Sequence, residues 1–336
     1  MDKRALITGI TGQDGSYLAE LLIERGYKVY GIQRRTSTIV TERINSLLDN
    51  GSVETFYGDL SDVNSIIRVL KEVKPDIVFN LGAMSHVKVS FDIPDYTVQI
   101  VALAPVRILE SLRLLDMKDT RYYQASSSEI FGSSSAPQVE TTTMLPVSPY
   151  GCAKLLGYHI TRVYRAGYGM FASNGILFNH ESPRRGETFV TKKIVRAAVR
   201  IKLGKQKSVK LGNLDAKRDW GHARDYMRAV IMIMEHDKPD DWVVATGEYH
   251  SVREFADRVF DYLGLRADDY IEISGDYFRP NEVPELLGDS KKISDILGWH
   301  PDITFEGLIK DMIESAWKEE TVAVNQAQWR APSYLR

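Results

Sequence analysis

Short apolar runs rich in β-branched residues recur along the first 125 residues: Ala5–Thr8, Lys28–Ile32, Val53–Tyr57, Asp76–Asn80 and Arg121–Gln124. Longer stretches of helical period separate them, the pattern of a parallel sheet covered on both faces by helices. Ser16 to Arg25 places Leu18, Leu21 and Leu22 on one stripe, with Gly26 where a C-terminal cap would end the helix. Ala172–Phe178 and Trp242–Ala245 read as two more strands of the same sheet. Between them lies a polar excursion, from Asn179 to about Gly221, that carries the Ser182-Pro183-Arg184-Arg185-Gly186 turn and a helix from about Val190 to Lys202. After Gly247 the pattern becomes mainly helical, with Ser251 as N-cap and Glu254 three residues on. Pro280, Pro284 and Pro301 act as breakers there.

The expected architecture is therefore α/β, a doubly wound parallel sheet of Rossmann type with a smaller, mainly helical lobe that binds substrate. Residues 1–178 and 222–249 form the sheet domain, 179–221 and 250–320 the lobe, and 321–336, where periodicity is weak, a C-terminal tail.

With 336 residues the chain can bury a core without disulfides or metals. Its 43% hydrophobic and 26% charged residues exclude disordered and membrane classes. The formal net charge of -2 offers no general field for nucleic acid or an anionic membrane, so bound phosphate must be held locally. The first residues lack a signal-peptide core and no run approaches a membrane span, so a cytoplasmic protein is expected. One cysteine, Cys152, and seven scattered histidines give no metal-ligand spacing, and no metal is expected.

Gly9-Ile10-Thr11-Gly12-Gln13-Asp14-Gly15 links the first strand to the first helix, so three glycines stand where a dinucleotide pyrophosphate would meet a helix N-terminus. The spacing, G-x-x-G-x-x-G, departs from the commoner dehydrogenase pattern. After the second strand come Arg34, Arg35, Thr36 and Ser37, where an NAD-selective site would carry a carboxylate; guanidiniums and hydroxyls suit a 2′-phosphate, which favours NADP. Asp59 either accepts from an adenine amino group or caps the helix begun at Ser61-Asp62.

Tyr150 and Lys154 lie four apart, on one face of a helix that Pro149 starts. A nearby cation lowers a phenol from its ordinary pKa of about 10, so that the phenolate can act as a base. The fifth strand leads into Ser126, Ser127, Ser128 and Glu129, which places hydroxyls and a carboxylate at the same sheet edge. A carboxylate is more than hydride transfer needs, and it invites a second proton transfer.

The Thr8–Gly15 turn, the Tyr150-x-x-x-Lys154 pair and the serine-rich strand end resemble the extended short-chain dehydrogenase/reductase family. More narrowly, residues 179–190, 212–221 and 245–248 are similar to its GDP-mannose 4,6-dehydratase branch, and the resemblance runs over about residues 1–318. It implies that Tyr150, assisted by Lys154, takes the proton of a sugar 4-hydroxyl while C4 gives a hydride to NADP. Glu129 then removes the C5 proton and protonates the departing 6-hydroxyl, the hydride returns to C6, and Ser127 hydrogen-bonds near the 4-hydroxyl. The implied cofactor contacts are Gly9, Thr11, Gly12, Gln13, Asp14, Gly15, Arg34, Arg35, Thr36, Ser37, Asp59, Leu60, Leu81, Gly82, Ala83, Ser85, Tyr96, Tyr150, Lys154, His180 and Arg185. Those for the GDP-sugar are Ser85, Ser127, Glu129, Asn179, Lys193, Arg218, Arg279 and Glu282. The arginine loop at Arg185 is further implied to reach a neighbouring subunit's cofactor in a homo-oligomer, dimer or tetramer.

Three departures stand out: Ser127 where the family has threonine, Met84 where it commonly has glutamine, and small changes at Gly82 and Cys152. They open a GDP-manno-heptose as alternative substrate. Two other readings are a reductase of a GDP-4-keto sugar, which would need no Glu129, and an NADP-sensing regulator on the same fold.

Overall fold

The computed structural model describes residues 3–278, 280–283 and 285–328. In chain order the strands are β1 (Arg4–Thr8), β2 (Lys28–Gln33), β3 (Val53–Tyr57), β4 (Ile77–Asn80), β5 (Arg121–Ser127), β6 (Ala172–Leu177) and β7 (Asn179–Glu181). Then follow β8 (Val209–Leu211), β9 (Lys217–Arg218), β10 (Trp220–His222), β11 (Asp241–Val244), β12 (His250–Ser251), β13 (Ile271–Ile273) and β14 (Glu285–Leu286). The first helices are α1 (Gln13–Glu24), α2 (Asn45–Asp49), α3 (Val63–Val73), α4 (Val87–Asp92), α5 (Pro94–Thr97) and α6 (Leu103–Leu114). The remaining ones are α7 (Pro149–Tyr168), α8 (Val190–Lys202), α9 (Ala223–Glu235), α10 (Val252–Tyr262), α11 (Lys291–Leu297) and α12 (Phe305–Gln328).

The seven expected strands form one parallel sheet, ordered β11-β6-β5-β4-β1-β2-β3. β4 and β6 are buried at every position, as strands covered on both faces must be. On one face Leu18 and Leu22 of α1 and Met227 and Val230 of α9 pack with Phe79, Tyr123 and Trp242. On the other, Val69 and Leu70 of α3 and Ile108 and Leu109 of α6 pack with Leu6, Val78 and Tyr122. The chain winds outward in both directions from the β1–β4 junction, and ligands of such sheets bind at that switch point, beyond the strands' C-terminal ends.

A second apolar core joins α8, α10 and α12 through Ile194, Val195, Phe255, Phe260, Leu308 and Met312. Ser251 caps α10 by accepting from the Glu254 amide at 3.0 Å. This region is less purely helical than expected: β9 lies between β12 and β14, and β8 pairs with β13. β7 and β10 pair in parallel where the polar excursion leaves and returns.

Two local readings are corrected. Residues 321–328 are not a tail, because α12 continues to Gln328. Charge pairing anchors the helix just before that stretch: the buried Glu320 carboxylate takes Arg196, Arg200 and Lys205, at 3.2, 2.7 and 3.1 Å, and Glu319 takes Lys192 at 3.2 Å. Helix α3 is capped by Asp62, whose carboxylate accepts from Asn64, while Asp59 turns to the Ser61 amide and hydroxyl at 2.8 and 2.6 Å.

Candidate active site

The glycine turn sits at the switch point. Gly9 has φ +72°, and a Cβ there would lie 2.9 Å from Gly82, so β1 and β4 can approach only as glycines. Thr8 ties the two strand ends, donating to Asn80 at 2.7 Å and accepting from the Gly82 amide at 3.0 Å. Helix α1 begins three residues earlier than its apolar stripe predicts, with Gly12 as N-cap and Gln13, Asp14 and Gly15 in its first turn. A Cβ on Gly15 would fall 2.3 Å from the Gly9 carbonyl oxygen, whereas one on Gly12 would meet only that oxygen, at 3.2 Å. The Gly12 side of the turn is thus a cradle open to a diphosphate, and the residues present fit a dinucleotide.

Asp14 points back from the turn to His180, whose Nε2 lies 2.9 Å from the carboxylate while Nδ1 lies 2.7 Å from the Phe178 carbonyl oxygen. Both neighbours are acceptors, so the ring satisfies them only as imidazolium. Burial pulls the His180 pKa down, but Asp14 outweighs it and the net shift is upward. The Asp14 carboxyl, opposed by burial but favoured by His180 and Gln13, is held at about 2.

The candidate chemical centre is built from the end of β5 and the start of α7. Ser148 caps α7 by accepting from the Gly151 amide at 3.0 Å, and Pro149 occupies the first helical turn. Tyr150 is thereby presented at the helix start, its amide donating to Ser90 at 3.2 Å and its ring packed with Val101, Ala102 and Ala153. Gly151 lets the helix approach the Glu129 backbone, since a Cβ there would lie 2.7 Å from that carbonyl oxygen. Glu129 is buried one turn past β5, and its amide donates to the Ser127 hydroxyl at 3.3 Å. Ser127 also hydrogen-bonds toward the Tyr150 phenol, and the charges of Glu129, Arg185 and Asp14 all act on it. Sequence reasoning thus placed Ser127, Glu129, Tyr150 and Lys154 in one site, and the structure brings them together.

The electrostatics differ from the sequence expectation. The Tyr150 phenol is raised well above its ordinary value, by burial first, with Ser127 opposing and Glu129 adding to the rise. The Lys154 ammonium does not reach the hydroxyl: it donates to the Ala125 carbonyl at 2.7 Å and lies 5.7 Å from the phenol ring centroid. Burial lowers Lys154 to about 8, with Asp14 opposing. Depression of the phenol by this lysine is therefore absent in the protein alone.

Arg34, Arg35 and Asp59 line a separate cavity of about 530 Å³ beyond the ends of β2 and β3, with Tyr57, Gly58, Asn64, Ser65 and Arg68. Arg34 donates to the Tyr96 hydroxyl at 2.5 Å, which joins two expected contacts. Thr36 turns its hydroxyl to the Thr38 carbonyl. Sequence reasoning missed Arg68, a third guanidinium of this cavity supplied by α3, and Arg107, which donates to the Leu60 carbonyl at 3.0 Å. Neither has a local signal: Arg68 looks like an ordinary helical surface position until α3 folds back on β3, and Arg107 comes from a helix 47 residues on. It also missed Arg43, which donates to the Thr11 and Arg184 carbonyls at 3.4 and 2.8 Å and ties the glycine turn to the arginine loop.

Within the chain, that loop is held by two stacked and paired arginines. Arg184 stacks on Tyr17 and pairs with Glu20 at 2.6 Å, and Arg185 pairs with Glu181 at 2.9 Å over the Phe189 ring. Arg185 lies within electrostatic reach of Asp14, His180 and Tyr150.

On the other side of the cleft, Asn179 opens β7, Lys193 sits in α8, and Arg218, buried on β9, pairs with Glu282 at 2.9 Å. The buried Asn179 Oδ1 meets no donor among the described residues, which suits a bound hydroxyl or amine. Leu81, Gly82, Ala83 and Ser85 follow β4 as expected, with Ser85 exposed. Arg279 lies outside the described residues.

A nucleotide cradle at the switch point, a Tyr-Lys helix beside it and a second lobe across the cleft define a short-chain dehydrogenase/reductase fold. Solved structures agree: the Thermus thermophilus UDP-glucose 4-epimerase complex with NAD matches with TM-score 0.82 at 23% identity, over 93% of this chain and 98% of that one. RMD from Pseudomonas aeruginosa, complexed with NADPH, matches with TM-score 0.79 at 21% identity, over 94% and 99%. The family model described as GDP-mannose 4,6 dehydratase matches residues 6–312, and the chain belongs to that family. It is similar to GDP-mannose 4,6 dehydratase 1 of Arabidopsis thaliana, 51% identical over 93% of this chain and 89% of the relative. It is likewise 47% identical to GDP-mannose 4,6-dehydratase of Vibrio cholerae, over 93% of both, and 45% identical to that of Homo sapiens, over 93% and 90%. The heptose alternative finds no favour among these relatives.

Proposed function

We propose that this chain converts GDP-mannose to GDP-4-keto-6-deoxymannose with loss of water, using a resident NADP. The observation that carries this reading is a buried carboxylate, Glu129, beside the buried Tyr150 phenol, in a chain about half identical to named GDP-mannose 4,6-dehydratases. When bound, NADP accepts a hydride from sugar C4 and returns it to C6, so it is regenerated within each turnover. Gly9, Gly12 and the start of α1 would hold its diphosphate, and Arg34, Arg35 and Arg68 its adenosine end. Three guanidiniums around one cavity favour a 2′-phosphate, hence NADP.

Tyr150 takes the proton of the 4-hydroxyl, and Ser127 holds that hydroxyl against the phenol. The high phenol pKa of the protein alone makes Tyr150 a strong proton acceptor once ionised, and a cationic ring nearby would bring ionisation into range. The 4-ketone so formed acidifies C5–H. Glu129 removes that proton and passes it to the departing 6-hydroxyl as the C6–O bond breaks, giving water and a 4-keto-5,6-ene. After reduction at C6 one proton returns to C5, equal in count to the one taken from the 4-hydroxyl. Asn179, Lys193, Arg218 and Glu282 hold the GDP moiety.

The division into a cofactor domain, residues 1–178 and 222–249, and a sugar-nucleotide lobe, residues 179–221 and 250–320, is supported by the separate core of the lobe. A homo-oligomer is supported by an apolar groove of about 420 Å³ on the outer face of α7, lined by Leu155, Leu156, Ile160 and Val163.

The test is to incubate wild type and Glu129→Gln with GDP-mannose and follow the mass of the sugar nucleotide. Wild type should lose one water and the variant should lose it at least ~100-fold more slowly. Equal rates would remove Glu129 from the chemistry, whereas no water loss by wild type, even with NADP supplied, would leave the 4-keto-sugar reductase reading.

A further inference from the structure

The cleft holds a group that none of the expected contacts explains. Tyr277, in the turn that follows β13, is 46% exposed and carries two ammonium groups over its ring. The Lys193 Nζ is 3.3 Å from the ring centroid and the Lys88 Nζ 5.7 Å. The two lysines come from opposite sides of the cleft: Lys88 from α4, beyond the C-terminal end of β4, and Lys193 from the first turn of α8. Among the described residues neither ammonium has a carboxylate partner, in contrast to Arg218, which is paired with Glu282. Like charges gathered on one ring repel, and cation–π attraction at a half-exposed phenol offsets only part of that. Helix α8 adds to the field, since Phe189 gives its N-terminus no side-chain cap and its first-turn amides face an anion favourably.

We infer that Lys88 is a further substrate-binding residue, contacting the diphosphate of the GDP-sugar from the cofactor side of the cleft, with Tyr277 as the positioning residue that holds Lys88 and Lys193 together. A diphosphate supplies the negative charge the pair lacks, and its binding draws the two sides of the cleft toward each other. This rests on the proposed GDP-sugar reading for the identity of the ligand, and on the Tyr277 geometry for the residue.

The test is calorimetric binding of GDP, and separately of guanosine, to the NADP-loaded protein and to Lys88→Met, Lys88→Arg, Tyr277→Phe and Tyr277→Ala. Lys88→Met should bind GDP roughly tenfold more weakly with guanosine unchanged, and its affinity should fall less steeply with salt. Lys88→Arg should restore most of the loss, which a merely misfolded variant would not allow. Tyr277→Phe should resemble wild type and Tyr277→Ala should resemble Lys88→Met, because the ring rather than the hydroxyl holds the ammoniums. Undiminished GDP binding by Lys88→Met, or equal loss for GDP and guanosine, would overturn the inference. Failure of wild type to dehydrate GDP-mannose would instead strike the proposed function, and the GDP comparison would still decide the role of Lys88.

Discussion

The proposed chemical centre and the proposed nucleotide-holding side of the cleft are built by opposite means. Ser127, Glu129, Tyr150 and Lys154 come from one strand end and one helix start, and all but the half-buried Ser127 are buried. Burial is the main influence on the pKa of the Tyr150 phenol, which it raises, and of the Lys154 ammonium, which it lowers. Lys193, Arg218, Tyr277 and Glu282 come from four separate segments, and Arg218 alone among them is buried. Their charges act through pairing and stacking. On the proposed function, the contrast teaches that proton transfer is placed where water is excluded and each donor is fixed, whereas recognition of a charged nucleotide tolerates longer, more exposed side chains because electrostatics reaches further than a proton can move.

If this contrast is right, substitutions in the centre act on kcat and those in the cleft wall on KM. Tyr150→Phe removes the hydroxyl proposed to take the 4-hydroxyl proton and should lower kcat about 10³-fold with little change in KM, read from initial rates of water loss. A drop in affinity with kcat preserved would place Tyr150 in binding only. Gly9→Ala forces a side chain into a left-handed backbone against Gly82 and should cost about 2 kcal/mol of stability, with loss of retained cofactor, measured by thermal melting and by nucleotide content after desalting. An unchanged melt would deny that the turn is conformationally fixed.

In the cleft, Arg218→Gln should raise KM for GDP-mannose roughly tenfold, leave kcat within about twofold and leave cofactor content intact. The Asp14–His180 pair should give a smaller, pH-dependent effect. Because the His180 pKa is raised, its stabilisation is complete below the ordinary histidine value of about 6.5 and fades as pH climbs through the raised value. The depressed carboxyl adds stabilisation that is complete above about 4 and is lost as pH falls toward 2. Melting from neutral to alkaline pH should therefore decline more steeply for wild type than for His180→Gln; parallel slopes would contradict the imidazolium assignment. Ser127→Thr, which restores the methyl group of the family residue, should change kcat by less than about threefold, since the hydroxyl that hydrogen-bonds is retained.

Sequence reading went furthest where function follows from neighbours in the chain. The strands, the α1 glycine turn and the Tyr150–Lys154 helix are local patterns of period and spacing, and the sheet order carried them to one edge. The candidate centre could be assembled from sequence for the same reason, since Ser127 ends a strand, Glu129 lies in the turn after it and Tyr150 starts a helix. What escaped depended on distance in sequence. Arg68, Arg107 and Arg43 look like ordinary charged surface positions until folding sets them against Tyr57, Leu60 and Thr11. Tyr277 and Lys88, 189 positions apart in number, share no pattern at all. The electrostatic state of Tyr150 was misjudged because spacing shows which face Lys154 occupies but not that its ammonium is spent on the Ala125 carbonyl.

The central claim, that Glu129 takes a proton from C5 while Tyr150 takes one from the 4-hydroxyl, is tested most directly by turnover of GDP-mannose in deuterium oxide. The account predicts a product lighter by one water that carries a single non-exchangeable deuterium at C5 and the original C4 hydrogen at C6. Water loss without deuterium at C5, or no water loss after NADP is supplied, would contradict it.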